Sequence, residues 1–107
     1  MIRQIDVQEL ADRLARGEAI RLIDVRQPWE HDIAALPGGQ LIPLDQLAQR
    51  AGEVGDDGGP VVVYCHHGIR SLSGAALLQH LGFSNVLSLA GGIDAWSLRV
   101  DPAVPRY

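Results

Sequence analysis

Val61-Val62-Val63-Tyr64-Cys65-His66-His67-Gly68-Ile69-Arg70-Ser71 is the stretch that decides how this chain folds. Its first four residues form a strongly β-prone run introduced by Gly59-Pro60, and from Ser71 onward small and aliphatic residues recur at helical spacing. The sole cysteine therefore lies on a strand-to-helix turn. Such a turn aims successive backbone N–H groups, and the positive end of the following helix dipole, into one concavity that suits an anion. A thiol set there, with Arg70 close by, is expected to ionise more readily than a free cysteine.

Working outward, Asp6 can cap a first helix with Glu9 three residues later, and Val7, Leu10, Ala11 and Leu14 share one face before Gly17 ends it. Residues 19–25 read as a strand buried on both faces of a parallel sheet, with Arg21 and Asp24 at its margins. Pro28 is well placed as the first residue of a short helical turn reaching Ile33. Leu36-Pro37-Gly38-Gly39 is a turn, residues 40–42 a short strand, and Leu44, Leu47, Ala48 and Ala51 the buried stripe of a second helix closed by Gly52. Residues 52–59, with four glycines and three acids, read as surface loop.

Beyond the central stretch, Leu72, Ala75, Ala76 and Leu78 form the apolar side of the helix that Ser71 opens, with Gly82 as its C-cap. Residues 86–89 are a further strand, Gly91-Gly92 a tight turn that lets the next helix pack closely, and residues 93–98 a helix carrying Trp96. The tail, 100–107, with Pro102 and Pro105, reads as an irregular surface segment. Strands alternate with helices throughout. That pattern implies an α/β fold of three layers, a central parallel sheet with helices on both faces, and a ligand site outside the carboxyl ends of the strands. Cys65 ends its strand and so falls at that edge.

A length of 107 residues fits one domain, 1–107, and 47% hydrophobic residues indicate a packed core. A net charge of −4 without a basic cluster argues against nucleic acid or an anionic membrane as partner. The start of the chain lacks the apolar run of a signal peptide, and no run approaches the roughly 18 residues of a membrane span. A cytoplasmic location is expected, because one unpaired thiol persists best where it is kept reduced.

Four separated stretches carry a family resemblance. They are Leu22-Ile23-Asp24-Val25-Arg26 with Glu30 following, Pro37-Gly38 leading to Ile42-Pro43-Leu44, Tyr64-Cys65 with Gly68 and Arg70-Ser71, and Leu81-Gly82-Phe83 running to Gly91-Gly92 and Trp96. In this order and spacing the chain resembles the rhodanese (sulfurtransferase) family, in particular its single-domain thiosulfate sulfurtransferases. The resemblance implies that Cys65 takes a sulfane sulfur from a donor such as thiosulfate, holds it as a persulfide, and passes it to a thiophilic acceptor: cyanide, a thiol or a protein. The residues of the loop, His66, His67, Gly68, Ile69, Arg70 and Ser71, would bind substrate and stabilise the persulfide, and no cofactor or metal is called for.

The residues of the loop are compatible with each requirement, since a thiolate attacks sulfur directly and a ring of loop N–H groups can hold a terminal sulfur anion. Four residues separate Cys65 from Arg70. Related phosphatases and arsenate reductases have one more, so the shorter loop favours a single sulfur atom over a tetrahedral oxyanion. The rival from another class is a non-catalytic module that carries sulfur or docks a partner with the same loop. Arg70 can either touch substrate or brace the loop through backbone carbonyls or an acid. His66 and His67 can tune the charge of the mouth or stand as bystanders, and no spaced His/Asp cluster completes a metal site with them. Asp24, Arg26 and Glu30 read as an ion-pair network fixing the strand-loop junction, Trp29, Trp96 and Phe83 as core or rim packing, and His31 and His80 as surface residues.

Overall fold

A computed structural model of the protein describes residues 2–55 and 58–107. The expected surface position of Asp56 and Asp57 lies outside the described residues. Five strands, β1 (Arg3–Ile5), β2 (Arg21–Asp24), β3 (Gln40–Leu41), β4 (Val61–Tyr64) and β5 (Val86–Leu89), alternate with helices α1 (Val7–Ala15), α2 (Pro28–Ile33), α3 (Leu47–Arg50), α4 (Arg70–His80) and α5 (Gly92–Arg99). All strand pairs are parallel, in the order β1-β5-β4-β2-β3, so the strand that leads into Cys65 is the central one.

The two faces of the sheet follow from strand pleating, which sends successive side chains to opposite sides. On one face Leu22, Val62, Leu87 and Leu89 meet Leu10 of α1 and Ile93 of α5. On the other, Ile23, Val63 and Val86 meet Leu47 of α3 with Ala75 and Leu78 of α4. Helices on both faces leave β2, β4 and β5 with almost unbroken apolar burial, as a parallel sheet requires. The three-layer α/β architecture expected from sequence is the one observed.

Local signals account for most boundaries. Asp6 Oδ1 accepts the Glu9 N–H at 2.8 Å and caps α1, and Pro28 opens α2 where its missing N–H costs nothing. Several sequence expectations need correction. Strand β1 has no sequence signature, because only Ile5 of its three residues is buried and a single inward side chain shows no periodicity. The helix expected over 44–51 is a 3₁₀ turn (Leu44–Gln46), α3 and a second 3₁₀ turn (Ala51–Glu53), so Ala48 is exposed and Gly52 lies inside the last turn instead of closing the helix. On α4 the buried stripe is Ser71, Gly74, Ala75 and Leu78; Ala76 faces solvent. Gly74 is there because the helix rides close on the sheet: a Cβ would sit 3.1 Å from Val63 Cγ1 and 3.3 Å from Val25 Cγ1.

The tail, 100–107, is irregular as expected, but it is not merely superficial. Val100, Val104 and Tyr107 pack against the α1/α5 core, and Tyr107 returns to the carboxyl edge of the sheet. No helix among the described residues is long and apolar enough to cross a membrane.

Candidate active site

Cys65 follows the central strand directly and is 1% exposed. Its Sγ accepts the N–H groups of Gly68 at 3.1 Å and Ser71 at 3.3 Å. The thiol in turn faces Ser71 Oγ at 3.5 Å, and that hydroxyl pairs at 2.7 Å with Ser88 Oγ of β5. Both serines are fully buried. The cradle foreseen from the strand-to-helix turn is therefore present, and the donors to Sγ among the described residues are Gly68 and Ser71 rather than the whole loop. Ile69 points outward, 76% exposed.

Two constraints hold the loop in this shape. Gly68 has φ +98°, a left-handed conformation that side-chain-bearing residues rarely adopt, and a Cβ there would lie 3.0 Å from the Gly91 backbone nitrogen. The second constraint is α5, whose first-turn N–H groups have no intrahelical acceptors. Ile93 N–H donates to Cys65 O at 2.9 Å and Asp94 N–H to His66 O at 3.1 Å. The helix start thereby consumes loop carbonyls and leaves loop N–H groups for the sulfur. Gly92, at φ +61°, makes this approach possible, since a Cβ would collide with the carbonyl oxygens of both Cys65 and His66.

Arg70 braces the loop through an acid, one of the two roles open from sequence. Its guanidinium forks onto Glu30 of α2 with Nη1–Oε1 at 2.6 Å and Nη2–Oε2 at 2.8 Å. Glu30 is nearly buried and also accepts Tyr107 OH at 2.7 Å and Gln27 N–H at 3.0 Å. The hydrogen bonds from Arg70, with those from Tyr107 and Gln27, outweigh burial and hold the Glu30 carboxyl down at about 2. The same pairing raises the Arg70 guanidinium above its ordinary value.

A second ion pair lies beneath the first. Arg26, fully buried, forks onto Asp24 through Nε–Oδ1 at 2.9 Å and Nη2–Oδ2 at 2.7 Å, and donates from Nη2 to Ala34 O at 2.6 Å. Burial alone would lower its affinity for the proton, but the bonds to Asp24 and Tyr107 raise it overall. Tyr107 joins the two pairs: its hydroxyl accepts from Arg26 Nη1 at 2.8 Å while donating to Glu30. Burial pushes that phenol up to about 12, so it keeps the proton it donates. The strand-loop network expected of Asp24, Arg26 and Glu30 is present, and it extends to the reactive loop through Arg70. His31, expected on the surface, is instead half-buried, with Nδ1 2.9 Å from Asp24 Oδ2.

The mouth is lined by a run of rings. His66 stacks on His67 and on Tyr107, each at 3.9 Å between centroids, and Trp29 meets Tyr107 edge-on at 6.0 Å. Trp29 is rim and not core at 60% exposure, whereas Trp96 is buried and Phe83 packs beside α4. Burial, then the adjacent His67, lowers the proton affinity of His66. Asp94 comes up beside the histidines, so that ligand atoms of His66, His67 and Asp94 lie within 4.8 Å of one another, a His/Asp grouping that the sequence, in which no spaced cluster completes a metal site, does not announce. Asp94 is at the same time paired with Arg106, Nε–Oδ1 2.9 Å.

Four contributors escaped the sequence reading: the Glu30 contact with Arg70, Tyr107, Ser88 and Asp94. Ser88 alone carried a signal, a hydroxyl inside a buried strand that must find a partner. Tyr107 carried none, because an aromatic in a proline-containing tail has no register with distant elements.

A thiol ending the central parallel strand, cupped by N–H groups and backed by a helix start, is an arrangement in an α/β domain that can hold negative charge on sulfur. Similarity to known proteins specifies it further. A family model described as "Rhodanese-like domain" matches residues 6–99. The chain is 36% identical over 97% of its length to a sulfurtransferase of Allochromatium vinosum, covering 96% of that protein. It is 38% identical to the chloroplastic rhodanese-like/PpiC domain-containing protein 12 of Arabidopsis thaliana, of which it spans only 38%. Among solved structures, the human single-domain sulfurtransferase TSTD1 superposes with a TM-score of 0.78 at 26% identity, over 92% of this chain and 98% of that one. The chain belongs to the rhodanese-like domain family, whose members include sulfurtransferases and sulfur carriers.

Two expectations follow from the brace. Because the Glu30 carboxyl is held at about 2, below its ordinary 4.5, its ionised form stabilises the fold fully above about pH 4.5, and this contribution is lost as pH falls toward 2. Urea unfolding from pH 6 to pH 3 should show that loss in the native protein and a shallower one in Glu30→Gln. Gly92→Ala should lower unfolding free energy by about 2 kcal/mol or more, read from the denaturant midpoint, since a fixed backbone must give way.

Proposed function

We propose that the protein is a sulfurtransferase in which Cys65 accepts a sulfane sulfur from a donor, thiosulfate being the simplest, and passes it as a persulfide to a thiophilic acceptor such as cyanide or a thiol. The observation that carries this reading is the pair of N–H groups, from Gly68 and Ser71, converging on Sγ at the end of the central strand. In the first step the thiolate attacks the outer sulfur of the donor, an S–S bond forms at Cys65, and sulfite or thiolate leaves with the electrons of the broken bond. In the second, the acceptor attacks the terminal sulfur and Cys65 departs as a thiolate. Both states place negative charge on sulfur at the loop, and donors fixed in advance stabilise it without reorganising.

The whole reaction needs no proton relay, which fits a site whose serine hydroxyls are buried and paired with each other. The family name, the relatives called sulfurtransferase and the four-residue span from Cys65 to Arg70 support transfer over phosphatase chemistry. A carrier role, in which the loaded protein hands sulfur to a partner, is the second reading. It is favoured by the 28% identical putative sulfur carrier protein YrkF of Bacillus subtilis, of which the chain spans 51%.

Incubation with thiosulfate or an alkyl hydropersulfide should add one sulfur to the intact mass, removable by cyanide or a dithiol. Cys65→Ser should remove loading and turnover while leaving the unfolding midpoint within about 1 kcal/mol of wild type, since the hydroxyl fits the cradle but is a poor sulfur nucleophile. Loading without catalytic turnover toward any small acceptor would put the carrier reading first; activity surviving in Cys65→Ser would exclude both.

A further inference from the structure

We propose that this site selects an organic hydropersulfide, R–S–SH, over a dianion such as thiosulfate, and that Glu30 sets the preference by neutralising Arg70; this rests on the Cys65 persulfide reading above. A thiolate attacking thiosulfate brings a single negative charge against a double one. A site built for that encounter needs uncompensated positive charge at the loop. Here each guanidinium at or beneath the mouth is already matched: Arg70 with Glu30, the buried Arg26 with Asp24, and Arg106 with Asp94. Among the described residues, none at the mouth remains as a free permanent cation.

The imidazoles do not fill the gap. His66 is partly buried against Tyr107, with Nε2 lacking a partner, and burial disfavours its charged form. The His67 side chain is 61% exposed, so solvent screens any charge it carries, and Asp94, 3.9 Å from it, is already paired with Arg106. What the mouth does offer is apolar and aromatic surface. Ile69 is 76% and Trp29 60% exposed, and Trp29 meets edge-on the Tyr107 ring that ends the stack of His67, His66 and Tyr107. An inorganic anion gains nothing from such a rim, whereas the R group of a hydropersulfide can lie along it.

The step balances without another reactant. The Cys65 thiolate attacks the terminal sulfur of R–S–SH, the new Cys65 S–S bond forms as the donor S–S bond breaks, and its electron pair leaves on R–S⁻. The proton of the donor passes to that sulfur, giving R–SH and the persulfide anion. One negative charge enters and one remains, so the paired surroundings suffice.

The test compares second-order rates of sulfur loading from cysteine hydropersulfide and from thiosulfate at low ionic strength, by intact mass, with Cys65→Ser as blank. The native protein is expected to favour the hydropersulfide by about tenfold or more. Ile69→Arg, at an outward position that cannot disturb the core, adds an unmatched cation and removes apolar rim surface, so it should raise the thiosulfate rate about tenfold while lowering the hydropersulfide rate. Glu30→Gln, which frees Arg70, should likewise raise the thiosulfate rate if its unfolding midpoint shows it folded. A thiosulfate rate equal to or above the hydropersulfide rate in the native protein overturns the proposal and leaves the persulfide reading intact. A folded Ile69→Arg with an unchanged ratio of the two rates also overturns it. Loading by neither donor overturns both.

Discussion

The geometry of the reactive loop depends on the contact between the start of α5 and the carbonyls of Cys65 and His66. A loop of this length must place each peptide dipole somewhere, and a trans peptide directs its C=O and N–H to opposite sides. Because the first-turn N–H groups of α5 take up the carbonyls of Cys65 and His66, those two peptides are fixed in orientation, and the following turn at Gly68 brings the N–H groups of Gly68 and Ser71 onto Sγ. Two unsatisfied features, a helix start and a set of loop carbonyls, thus satisfy each other. The contact tolerates no side chain at Gly92, which explains why a glycine occupies the first helical position.

A second layer holds the other end of the loop. Arg70 leaves the loop as α4 begins and is fixed by Glu30, which is itself fixed by Tyr107 and by the N–H of Gln27. Glu30, Tyr107, Arg26 and Asp24 form a continuous chain of charge-assisted hydrogen bonds from β2 to the loop. Buried ions cost desolvation energy, which close pairing and the added hydrogen bonds offset, and removing one partner would leave the other charge buried and uncompensated. Its electrostatic consequence is local neutrality at the mouth, and that neutrality bears on which sulfur donors the proposed chemistry can use.

The legibility of these parts in the sequence follows their range along the chain. The Asp6 cap of α1, the Pro28 start of α2, the central strand and the Cys65 turn depend on residues within a few positions of each other, and they were readable. The alternation of strands and helices was enough to place the sheet parallel and Cys65 at its carboxyl edge. Errors arose where local pattern was thin or ambiguous. One inward residue could not announce β1, and the stripe through Ala48 and Ala76 assumed regular helix and apolar equivalence that packing did not honour. His31 looked like a surface residue because its partner, Asp24, lies on the preceding strand and becomes reachable only when α2 folds back.

By itself the sequence determined the α/β order, the position of the thiol between strand and helix, and the four-residue span to Arg70, because each rests on neighbours in the chain. Only the tertiary structure decided what Arg70 binds, that Tyr107 closes over His66, that Asp94 stands beside the histidines and that Ser88 backs Ser71. These contacts join elements brought side by side by the crossover connections of a parallel sheet. Hydrogen-bond partners separated by a whole helix leave no periodicity in the chain that joins them, so their pairing becomes visible only when the sheet is assembled.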